Sequence, residues 1–176
     1  MSTYVALIRG INVANTQISM ERLRKLCAAC GFDDVRTYIQ SGNVIFSAGE
    51  SAQTCSAKLA ARLQRELGKP VGVVIRSARE LAGIAAKNPF VKETGVETAR
   101  LHVAFLAERP KAERVKALAA VDWGRDRFHH NAKELYLYCP DGFGRSKLAT
   151  TFERMLGVGA TVRNWNTVSK LLEMTT

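Results

Sequence analysis

Four short stretches hold most of the polar residues whose types suit chemistry: "RGINV" (9–13), "QSGN" (40–43), "GFGRSK" (142–147) and "RNWN" (163–166). The candidate binding residues in them are Arg9, Asn12, Gln40, Ser41, Asn43, Arg145, Ser146, Lys147, Arg163, Asn164 and Asn166. All can donate hydrogen bonds, four are cations, and none is Asp, Glu or His. Magnesium-dependent phosphoryl transfer needs carboxylates to hold the metal. General-base catalysis needs a His, Glu or Asp within reach. A donor-only set suits the holding of an anion instead, such as a phosphate, a carboxylate or a nucleotide. Ser41 or Ser146 could act as a nucleophile, but no base is visible beside either. An enzyme built on this set would rely on oxyanion stabilisation of an unknown phosphorylated or acyl substrate. The structural alternative is turn and cap chemistry, to which Gly42 and Asn164 are suited.

Metal and cofactor chemistry find little support. Cys27 and Cys30 form C-x-x-C, but Met20, Leu23, Cys27 and Cys30 recur at helical spacing on one apolar face. Cys55 shares a face with Leu59 and Leu63 in the same way. Buried thiols acting as small hydrophobes are expected, with no metal and no cofactor. His129 and His130 are adjacent, so a strand sends them to opposite faces and they cannot chelate together. They are expected at the surface.

The chain of 176 residues is 47% apolar, enough for a core in one compact unit or two small ones. Its N-terminus has no basic start and only a short apolar run, which predicts no secretion signal. No apolar stretch reaches the ~18 residues of a membrane helix. A cytoplasmic protein with no membrane partner is expected. The net charge of +10 is spread over both halves, without a basic tail. It favours anionic partners in general, and a solvated basic surface carries the same signature.

The elements that must position these residues read as follows. "YVALIR" (4–9) is a buried strand. A helix follows, with Ser19 as N-cap, Ile18 and Leu23 as a hydrophobic staple, and Gly31 just past its end. "VRTYI" and "NVIFS" flank "QSG" as a hairpin. Residues 51–67 have helical spacing and stop at Leu67-Gly68, and "VGVVIR" (71–76) is a strand. "RLHVAFL", the helix "KAERVKALAA" with Val115 and Leu118 inward, a hairpin turning at 131–133, the helix "SKLATTFERMLG" and the strand "ATVR" then repeat the order β-α-β-β-α-β.

"VVIRSARELAGIA" and "ATVRNWNTVSKLL" correspond closely. Arg76 matches Arg163, Ser77 matches Asn164, and Leu81 matches Val168. Ser77 with Glu80 is a capping box, and Asn164 caps the last helix. The chain therefore reads as α+β, a duplicated ferredoxin-like plait packed into one compact body. Its halves are residues 1–88, with the linking helix, and 89–176, with the C-terminal helix. Trp165 reads as a core plug rather than a platform for a ligand ring. Arg145 and Lys147 open the helix of "GRSKL", where the helix dipole disfavours cations, and Asp141 offsets this only if it folds back. Either both side chains splay into water or the turn awaits an anion.

"LIRGINV", "RTYIQSGNVIF", "NPF", "GFGRSKL" and "TVRNWNTVSKL" together resemble the domain-of-unknown-function family sixteen-ninety-seven, small bacterial proteins. The resemblance runs from the first strand to the last helix. It implies the duplicated α/β architecture and no particular reaction. Family members usually carry a glycine pair after "RGINV", where this chain has Ala14-Asn15. In such a plait, Arg9–Asn12 and Gly144–Lys147 are expected at one sheet edge and Gln40–Asn43 and Arg163–Asn166 at the other. A small anionic ligand is the expected partner. Nucleic acid is the rival: plaits that bind RNA stack bases on strand aromatics, and Tyr136 and Tyr138 share a face. The tyrosines are expected to pack inside instead.

Overall fold

The computed structural model describes residues 1–176. The first half forms β1 (Ser2–Ile8), α1 (Met20–Ala29), β2 (Asp33–Tyr38), β3 (Asn43–Ala48), α2 (Ala52–Leu67) and β4 (Val73–Ser77). Its sheet has the order β2-β3-β1-β4, with every neighbouring pair antiparallel. Strand alternation sends Tyr4, Ala6 and Ile8 of β1 to one face, with Val44, Phe46 and Ala48 of β3. There they pack with Leu23, Leu26 and Cys27 of α1 and Cys55, Leu59 and Leu63 of α2. The cysteines behave as apolar residues: burial pushes the Cys27 thiol up to about 12. Helix ends follow the expected signals. Ser19 Oγ accepts from Arg22 N–H and Ser51 Oγ from Thr54 N–H, while Gly68, at φ 73°, closes α2 in the left-handed region.

The second half forms β5 (Leu101–Leu106), α4 (Ala112–Ala119), β6 (Arg127–Asn131), β7 (Glu134–Tyr138), α5 (Lys147–Leu156) and β8 (Ala160–Asn164). The strand order β6-β7-β5-β8 repeats that of the first sheet, again antiparallel throughout. Ala104, Leu106, Leu135 and Leu137 pack with Leu118 of α4 and with Leu148, Phe152 and Leu156 of α5. Asn131 pairs with Glu134, so the hairpin turns on Ala132-Lys133. His129 is exposed; His130 is half-buried, with its Nε2 at 2.8 Å from the Ala132 carbonyl.

A helix trails each half: α3 (Ala78–Ala86) directly follows β4, and α6 (Trp165–Met174) directly follows β8. At the first junction Ser77 N–H donates to Glu80 and Glu80 N–H donates to Ser77 Oγ, a complete capping box. At the second, Asn164 Oδ1 accepts from Asn166 N–H at 2.8 Å. Leu81 and Val168, the paired positions, are both buried. Contacts divide the chain into Met1–Gly83 with Lys170–Thr176, and Ile84–Ser169. The α+β expectation thus holds as two four-stranded antiparallel sheets and six α-helices in a two-part repeat. No helix is long and apolar enough to cross a membrane.

Candidate anion site at the edge of the second sheet

Antiparallel pairing decides which motifs meet, and it corrects the expected grouping. Leu7 of β1 pairs with Asn43, the first residue of β3, so the end of β1 adjoins the hairpin tip rather than the start of α2. "RGIN" and "QSGN" therefore share one corner of the first unit. In the second unit the start of β5 adjoins the end of β8, because His102 pairs with Asn164. The residues after β7 reach that edge too, since Leu101 pairs with Tyr138. "GFGRSK" and "RNWN" therefore share one edge of the second unit.

In the first corner the amides hold the backbone. Asn12, itself at φ 57°, donates Nδ2–H to the Gln40 carbonyl at 2.7 Å and accepts Ile18 N–H on Oδ1 at 2.8 Å. Asn43 is fully buried and donates Nδ2–H to the Tyr38 carbonyl and to Ser41 Oγ. Gly42 takes φ 91°, and a Cβ there would stand 2.9 Å from Ile11 Cδ1, so only glycine fits. The Arg9, Gln40 and Ser41 side chains are exposed. Ala14 sits at φ 47°, a region that glycine enters freely and alanine at a cost.

In the second unit Ser146 is the N-cap of α5: its Oγ accepts Ala149 N–H at 2.9 Å and donates to Asp126 Oδ2 at 2.7 Å. Asp141 is paired with Arg125 instead. The carboxylate that eases the helix end is therefore Asp126, and the expected route through Asp141 is corrected. Arg145 and Lys147 flank the cap, both exposed and neither in an ion pair. Gly142, at φ 107°, lies beside Arg100, whose Nη1 would be 3.4 Å from a Cβ added there. The neighbouring Ala99 carbonyl accepts Asn164 Nδ2–H at 3.1 Å, so residues 99–100 tie the two motifs together. Asn166 is exposed on the first turn of α6.

Two motif residues turn inward. Arg163 is buried and donates Nη1–H to the Val162 carbonyl. Burial pushes its guanidinium down to about 10, still charged at neutral pH. Its counterpart Arg76 is also buried and donates to the Ile75 carbonyl. Trp165 is only 9% exposed, as the plug reading expects. Tyr136 is buried, with its hydroxyl donating to the Ile84 carbonyl at 2.6 Å, so its ring is not open to a base.

Sequence reasoning missed Arg100, Asp126 and His102. His102 packs its ring against Phe143 of "GFGRSK", with centroids 4.2 Å apart, and its Nδ1 is buried without a hydrogen-bond partner. Burial lowers its pKa. No local pattern marks these three; each joins the site through strand pairing or a chain reversal.

Comparison places the chain in a family. Residues 1–136 match the sequence model described as "Protein of unknown function (DUF1697)", and the chain belongs to that family. "GFGRSK" and "RNWN" lie beyond the matched residues. No curated protein matches. Among solved structures, a conserved bacterial protein from Streptococcus pneumoniae has the same fold, with a TM-score of 0.79 at 21% identity. The alignment covers 99% of this chain and 98% of that one.

Proposed function

We propose that this protein binds a small phosphate- or carboxylate-bearing ligand at the edge of the second sheet, through Arg145, Lys147 and Arg100. Each unit is read as a ferredoxin-like plait, which the strand order supports, and the sheet edge serves as a rigid support for the site. One observation carries the proposal. Arg145, just before the N-cap, and Lys147, on the first turn of α5, stand unpaired near exposed Arg100, while Asp126 is bonded to the cap hydroxyl and Glu97 lies 4.0 Å from Arg100. An anion would meet two uncompensated cations and a helix N-terminus together. Asn166 is the amide left exposed on the same edge, available as a further donor. Ser146 is unsuited to act as a nucleophile here, because it is buried and its hydroxyl is engaged on both sides.

The test is the double substitution Arg145→Glu with Lys147→Glu, followed by thermal unfolding with and without inorganic phosphate or sulfate. A ligand that binds only the folded state raises its stability by mass action. The parent should gain Tm with phosphate. The variant should be as stable as the parent or up to about 1 kcal/mol more so, because two cations leave the positive end of the helix. It should gain nothing from phosphate. Equal stabilisation of both proteins would reject the site. A response to short RNA alone, lost steeply with added salt, would transfer the reading to nucleic acid.

A further inference from the structure

The face of the first sheet turned away from α1 and α2 carries Thr3, Ile45 and Ser47, since strand alternation gives the opposite face to Tyr4, Val44 and Phe46. A groove of about 440 Å³ opens on this face, bordered by β2 and by the last residues of the chain, Met174–Thr176. That volume falls in the range of small-molecule sites. None of the four motifs lines it.

The groove owes its character to a bulge in β2. Asp33 pairs with Ser47 and Arg36 with Ile45, so Asp34 and Val35 stand together against the single residue Phe46. Asp34 takes φ 50°, a left-handed conformation that residues other than glycine adopt at a cost. Such strain concentrates at binding sites. The bulge leaves two opposite charges lining one groove. Arg36 is held by a bond from its Nη2–H to the Met174 carbonyl at 2.8 Å, which leaves the rest of its five donors open. The Asp34 carboxylate has no partner in the protein, and the two residues do not pair with each other. Val35 and Met174 add apolar wall, and Thr3 and Ser47 add hydroxyls.

We propose that this groove binds a small zwitterion of the amino-acid type. Arg36 takes the carboxylate and Asp34 the ammonium, and an aliphatic side chain lies along Val35 and Met174. A purely anionic ligand would leave Asp34 as a repulsive neighbour, and a purely cationic one would leave Arg36 so. The site is independent of the anion site proposed for the second unit, so either can fail alone.

The probe is L-leucine, set against two analogues that each keep one charge: 4-methylpentanoate and 3-methylbutylamine. Backbone amide NMR signals of Val35, Ile45 and Ser47 should move with L-leucine at about 1–10 mM, the range of weak small-ligand binding. Each analogue should bind at least about tenfold more weakly. Arg36→Gln should abolish the response to leucine and to 4-methylpentanoate. Asp34→Asn, which tolerates the left-handed backbone, should weaken leucine about tenfold and tighten 4-methylpentanoate, whose repulsive neighbour it removes. Both positions are exposed, and an unaltered Tm confirms that each variant is folded. No movement with leucine, equal binding of all three probes, or an unaffected Arg36→Gln variant would overturn the proposal. Binding of 4-methylpentanoate as tightly as leucine would make the groove a simple anion site and overturn it equally.

Discussion

In the corner where "RGIN" meets "QSGN", Asn12 and Asn43 turn their amides inward and fasten backbone to backbone. At the edge where "GFGRSK" meets "RNWN", Asn164 and Ser146 do the fastening, while Arg145, Lys147 and Asn166 stay exposed. The two regions draw on the same residue types. They differ in what is left over: Arg9, Gln40 and Ser41 stay exposed in the first corner with Arg9 and Ser41 already engaged, whereas the second edge leaves two cations, Arg145 and Lys147, outside any ion pair. A loop of positive-φ residues such as Gly10, Asn12 and Ala14 leaves peptide groups out of regular pairing, and side-chain amides must satisfy them. A helix start presents N–H donors, so only an acceptor such as Ser146 can cap it, and the donor cations on either side find no backbone partner there. Polar richness in a sequence is therefore no measure of a site; the remainder after backbone accounting is.

Gly42→Ala should disturb the first corner most. The added methyl would meet Ile11 and Ile8 at 2.9–3.0 Å in a backbone at φ 91°. Strain and overpacking together should cost about 3–5 kcal/mol, read from urea unfolding. A loss below about 1 kcal/mol would mean that the first corner is less tightly built than its geometry indicates.

Trp165→Ala probes the other region. It should cost about 3 kcal/mol, since a buried indole is removed next to the capped turn. A variant that keeps its stability but no longer responds to phosphate would reassign Trp165 as a ligand platform. Asn12→Ala should have the smallest effect, about 1–2 kcal/mol for two lost hydrogen bonds. Its phosphate response in the same thermal assay should match the parent's. Loss of that response would shift the proposed ligand toward the first corner.

Much of the fold is legible from local signals because those signals act locally. Ser19, Ser77 and Asn164 cap helices through atoms two or three residues away, and Gly68 ends α2 through its own φ. The duplicated strand order follows from two runs of the same element types. Which motifs meet is another matter, because it depends on antiparallel register. The pairing of His102 with Asn164 spans sixty-two residues, and nothing near either one announces it. The carboxylate at α5 shows the same limit: Asp141 is the nearer in sequence, yet Asp126 reaches the cap because β6 starts beside it. Arg163 read as a ligand donor from its type alone. Its burial, and that of Arg76, reflects strand position, which residue type does not encode.

At both strand-to-helix junctions no residue intervenes: β4 ends at Ser77 and α3 begins at Ala78, and β8 ends at Asn164 and α6 begins at Trp165. An α-helix turns about 100° per residue. One codon gained or lost at either junction would therefore swing Leu81 or Val168 about a quarter-turn out of its buried position. The caps would lose their spacing at the same stroke. Homologues of this protein can accordingly be expected to vary in length at loops such as Glu108–Lys111, and hardly at all at these two elbows.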